Sequence, residues 1–93
     1  MKEYKQIVID SIINKAKDER IISLRKTANE LGYKHISAQD CRDIMHAVLK
    51  ALPEYKAVQM LTEKQARSSA TAGLFSTLNF VEKTVEFDNG EDL

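Results

Sequence analysis

Cys41, His35 and His46 are the side chains of this sequence best suited to nucleophilic chemistry or metal binding, and Asp40 and Asp43 are the carboxylates best spaced for acid–base work. A structural zinc site takes four ligands, and a Cys–His pair works as nucleophile and base only where the two side chains meet. Cys41 and His46 are five residues apart, which on a helix turns them to different faces. One cysteine and two histidines fall short of a ligand set, so Cys41 is expected to pack as a small hydrophobe. Asp40 and Asp43 stand at i, i+3, but a place in the first turn of a helix, where the macrodipole favours negative charge, explains them without catalysis. Gly32, Gly73 and Gly90 are too far apart to cradle a phosphate. No catalytic residue, metal site or cofactor is expected. The chemistry left to the chain is binding.

Two stretches are candidates for it. Ser23 to Met45, reading SLRKTANELGYKHISAQDCRDIM, resembles a helix-turn-helix, with Ala28 four residues before Gly32, Leu31 just ahead of that glycine, and a second helix after it. The stretch departs from the pattern in its turn, which Tyr33 to Ser37 lengthens by about two residues, and in the carboxylates of its second helix, since Asp40 and Asp43 repel phosphates. The resemblance implies that Lys34, His35, Ser37, Gln39 and Arg42 face DNA and that Arg25 and Lys26 touch its backbone.

The second stretch is the last predicted helix, from Ala66 to Val85. Ala66, Ala70, Gly73 and Thr77 form a stripe of small residues at helical spacing, beside the larger Leu74, Leu78, Val81 and Val85. An interior glycine costs a helix about 1 kcal/mol relative to alanine, and close packing against another helix would offset that. Ala66, Ala70, Gly73, Leu74, Thr77 and Phe80 are therefore the candidate interface for a protein partner or a second copy. Ser68 to Val85 is also similar to the hairpin helix of small phage proteins that sequester cyclic-nucleotide immune signals, with Leu74, Phe80 and Lys83 where that pattern has Leu, Trp and Lys. That similarity covers under a fifth of the chain and lacks the tryptophan. It implies a small nucleotide ligand.

The elements that must position these residues read as helices, because three glycines and one proline leave long stretches without a breaker. Ile9, Ile13 and Ala16, with Tyr4, Val8 and Ile12 alongside, give an apolar face from about Lys2 to Asp18. Ser23 caps a short helix carrying Leu24, Ala28 and Leu31, which Gly32 ends. Ser37 and Asp40 approximate a capping box, and Cys41, Ile44, Val48 and Leu52 continue that helix to Pro53. Tyr55, Val58 and Leu61 suggest a short amphipathic helix, and Thr62 with Gln65 opens a final long one. Phe80 to Phe87 alternates in a way that a strand would also show. The expected fold is all-α: a compact bundle of four to five helices with a helix-turn-helix-like central pair and a longer C-terminal helix. Residues 1–87 form the single domain, and 88–93 a frayed acidic tail.

Composition bounds the function. With 93 residues, 43% hydrophobic and 30% charged, the chain is globular rather than disordered. Apolar runs such as Ile7 to Ile9 are far below the roughly 20 residues of a membrane span. Asp10 and Asn14 interrupt the only stretch placed like a secretory signal, and the lone cysteine suits a reducing compartment, so a cytoplasmic location is expected. Fourteen basic and fourteen acidic residues cancel, although residues 1–50 are mildly basic and 51–93 mildly acidic. The first expectation is a small regulatory module of the adaptor or inhibitor kind found in mobile elements, acting through protein–protein contacts or self-association. A helix-turn-helix DNA-binding regulator is the second, and a cyclic-nucleotide sequesterer the third.

Overall fold

The computed structural model describes residues 3–60, 73–86 and 90–93. Helix α1 spans Tyr4–Lys15 and is followed by strand β1, Ile21–Ser23, and helix α2, Leu24–Glu30. Helix α3 covers Ala38–Ala51. Strand β2 follows at Tyr55–Met60, and beyond it come the single turn α4, Leu74–Thr77, strand β3, Leu78–Glu82, and strand β4, Gly90–Asp92. The strands form an antiparallel sheet in the order β1-β3-β2-β4. The all-α expectation is therefore wrong, and the chain is mixed α and β.

The first three helices arise where caps and periodicity place them. Ser23 ends β1 and also caps α2, its Oγ accepting from the Lys26 amide at 3.2 Å. Gly32 takes φ of +91°, a conformation that glycine adopts without steric cost. The Gly32 and Tyr33 amides then reach back to the carbonyls of Asn29 and Ala28, at 3.0 and 2.9 Å, satisfying the end of α2 as a Schellman motif. Ser37 caps α3 by accepting from the Asp40 amide at 3.1 Å.

After Pro53 the expectation of helix fails. Tyr55, Val58 and Leu61 were spaced for one, but residues 55–60 are a strand, and the final long helix is replaced by α4 and β3 where the chain is described. The physical reason is burial on both faces. Ala57 pairs with Phe80 on the face turned to the helices, whereas Val58 and Val81 are buried on the opposite face. Strands buried on both sides lose the period-2 pattern and read as short apolar runs, which pairing rather than periodicity assigns. Thr62, Gln65, Ala66 and Ala70 lie outside the described residues. β4 falls within the stretch expected to fray.

The core lies between the three long helices and one face of the sheet, a two-layer arrangement. Val8, Ile9 and Ile12 of α1, Leu24 and Ala28 of α2 and Cys41, Ile44 and Val48 of α3 meet Ile22, Tyr55, Ala57, Leu78 and Phe80. Burying each of the larger of these side chains contributes about 1.5–3 kcal/mol. The Tyr55 hydroxyl donates towards the carbonyls of Glu19, at 2.7 Å, and Ala16, at 3.1 Å, fastening the end of α1 to β2. Burial pushes its pKa up, with Glu82 and Glu54 adding to the effect, so it stays the neutral donor that these carbonyls need. Among the described residues no helix is long and apolar enough to cross a membrane.

Candidate nucleic-acid interface

Helix α3 follows α2 after the turn Leu31 to Ser37, and packing holds that turn in place. Ile36, in the turn, is buried in the core. The Tyr33 ring lies 5.5 Å from that of Tyr4 on α1, so the lengthened turn is fixed by packing.

On α3 itself the buried residues Cys41, Ile44 and Val48 follow i, i+3, i+7 and define the inner face. Gln39, Arg42, His46 and Lys50 are exposed. At 3.6 residues per turn these four fall within an arc of about 80° opposite the buried stripe, and they extend over about 16 Å of helix. The outer face of α3 is thus a continuous row of an amide, a guanidinium, an imidazole and an ammonium group.

Each carboxylate near that row has a lysine of α1 as a counter-charge, and Asp43 also accepts from Gln39 of the row itself, at 3.0 Å. Lys5 Nζ on α1 lies 3.2 Å from Asp43 Oδ2 and 3.9 Å from Asp40 Oδ1. Lys15, at the other end of α1, lies 2.8 Å from Glu30 Oε2 on α2. Hydrogen bonds from Gln39 and then Lys5 hold the Asp43 carboxyl below its ordinary range, and the Lys15 hydrogen bond does the same for Glu30. Residues 23–51 contain three carboxylates in all, and each is within ion-pair distance of a lysine of α1. Their five basic residues, Arg25, Lys26, Lys34, Arg42 and Lys50, are in no ion pair among the described residues.

All seven residues expected to face DNA are exposed: Arg25 and Lys26 in the first turn of α2, Lys34, His35 and Ser37 in the connection, and Gln39 and Arg42 on α3. The Ser37 hydroxyl is the cap of α3 and is engaged there. His46 and Lys50 belong to the same row and were missed, although the period from Gln39 and Arg42 leads to them. Lys5 had no signal in the sequence, because its partner stands 38 residues away.

The small-residue interface has a different fate. Gly73 is the residue before α4 and not the interior of a helix, which removes the helix cost that motivated the stripe. Thr77 and Phe80 have no exposed surface, and Leu74 is half-buried against the core. Leu74, Phe80 and Lys83, which a hairpin helix would align, stand in α4, in β3 and in the turn after β3.

Cys41 is buried, and burial pushes its thiol up to about 11. His35 and His46 are exposed on different elements. A cleft of about 420 Å³ at the end of α1 is bordered by Asp18, Glu19, Glu54 and Glu82 along with Lys17 and Arg20. Comparison with protein families, with curated proteins and with solved structures finds no match.

Proposed function

We propose that the protein is a small, non-catalytic regulator of the cytoplasm that binds duplex DNA with α3 as its reading helix. The observation that carries this reading is the charge arrangement. The acids that would repel phosphates are tied back to Lys5 and Lys15, while Gln39, Arg42, His46 and Lys50 share the outer face. Hydrogen-bonding and cationic side chains along one helix face suit the major groove, about 12 Å wide, whose base edges distinguish all four base pairs. Arg25 and Lys26 at the start of α2 are available to the DNA backbone, the part that the first helix of such a pair plays. The architecture agrees with this reading: two helices joined by a turn, with strand β2 packed beside the second helix and its antiparallel partner β3 beside the first. Fold alone does not assign function, and the reading rests on the row of side chains.

The test is fluorescence anisotropy on a mixed duplex pool at about 50 and 200 mM salt, where contacts to about four phosphates imply a loss of affinity on the order of 100-fold. Arg42→Ala should weaken binding and flatten the salt dependence. Absence of binding at both salts rejects the reading.

A further inference from the structure

Lys5, Asp43 and Gln39 form a hydrogen-bonded chain that runs from α1 to the outer face of α3. Lys5 Nζ donates to Asp43 Oδ2 at 3.2 Å, and Gln39 Nε2 donates to Asp43 Oδ1 at 3.0 Å. An ionised carboxylate accepts hydrogen bonds and cannot donate them, so the end of the Gln39 amide turned towards Asp43 is its NH₂ group. The Gln39 carbonyl oxygen and the second N–H of its amide are left on offer, in an order that the bond to Asp43 fixes. The depressed pKa of Asp43 keeps the carboxylate in this acceptor state at neutral pH.

A glutamine free to rotate presents donor or acceptor equally well to a base edge. One held through one of its two N–H groups presents its oxygen at a fixed place with the remaining N–H in fixed order to it, and the bases differ in how they answer that oxygen. In the major groove adenine and cytosine carry exocyclic amino donors, whereas guanine and thymine carry carbonyl oxygens that would meet the Gln39 oxygen lone pair to lone pair. We infer that Asp43, itself held by Lys5, is a positioning residue that fixes Gln39 as a hydrogen-bond acceptor, restricting the base beneath it to adenine or cytosine. This specificity rests on the DNA-binding reading proposed above. It also gives Asp43 a use: its carboxylate orients a reading group, and Lys5 neutralises the charge that this would otherwise bring near phosphates.

The experiment is selection from a randomised duplex pool with the full chain, carried out for the wild type, Gln39→Ala and Asp43→Asn, with far-UV circular dichroism confirming that each variant is folded. An asparagine can donate as well as accept, so Asp43→Asn frees the Gln39 amide to turn while preserving its packing. The wild type should show one position at which adenine or cytosine is preferred on the order of tenfold. Both variants should lose that preference, to less than about twofold, while the preferences at other positions are retained. If the wild type selects no sequence because it does not bind duplex DNA, the DNA-binding reading falls and this inference with it. If it binds and Asp43→Asn keeps the same preference, or no adenine-or-cytosine position depends on Gln39, the inference alone is overturned.

Discussion

Phe80→Ala separates the observed sheet from the all-helical arrangement that the sequence suggested. Phe80 is fully buried at the centre of β3, with Ile22 of β1 and Ala57 of β2 as its cross-strand partners. Removing a buried ring costs the transfer energy of the lost atoms and that of the cavity, about 3–5 kcal/mol for a phenylalanine. A chain of this length has a total stability of about 5–14 kcal/mol, so the variant should be marginal. Each kcal/mol lowers Tm by about 4–8 °C in a domain of this size, which makes the expected loss about 12–40 °C. Ile22→Val, on the neighbouring strand, removes one methylene and should cost about 0.5–1.5 kcal/mol. Urea titration followed by far-UV circular dichroism measures both on one scale. Had Phe80 been an exposed interface anchor on a helix, truncation would leave the monomer nearly as stable. A loss under about 1 kcal/mol would therefore refute the placement of Phe80 in the core.

Gly32→Ala should destabilise the protein by about 1–2 kcal/mol through backbone strain alone, because φ is +91° and an added Cβ meets nothing within 4 Å; thermal melts of the alanine and asparagine variants check this, with asparagine the milder. Asp43 has a folded pKa below its ordinary value of 3.8, so its contribution to stability is present above the unfolded pKa and is lost as pH falls through the folded one. Lys5→Met should accordingly lessen the drop of urea midpoints on acidification, and an unchanged acid limb would show that the pair is not formed in solution. Cys41, buried with its thiol raised to about 11, should resist a thiol-specific disulfide reagent at pH about 8 in the native protein and react fully in denaturant, since the thiolate is the reactive form.

The parts of the fold visible in the sequence are those determined by neighbours along the chain. Ser23, Gly32 and Ser37 mark helix ends through hydrogen bonds that span three to five residues, and Cys41, Ile44 and Val48 declare their helix by period. The strands depend on partners far away: Ile22 and Ala57 find Phe80 only after the chain has folded, and Val58 and Val81, buried on the other face, erase the alternation that would have betrayed a sheet. The candidate site divides the same way. Gln39 and Arg42 were legible as outward groups of a helix. Asp40 and Asp43 spoke against DNA as long as they were taken alone, and their pairing with Lys5 is a tertiary fact. The stripe ending in Gly73 and Thr77 drew its weight from a helix that is not there.

The central claim, that the outer face of α3 meets DNA, is tested most directly by a two-dimensional amide and side-chain NMR titration with a duplex taken from the selection. The expected result is that shifts on adding DNA concentrate at Gln39, Arg42, His46 and Lys50, with smaller changes at Arg25 and Lys26, and that they fade as salt is raised. Shifts confined to the sheet or to the end of α1, with the α3 signals unmoved, would contradict the account.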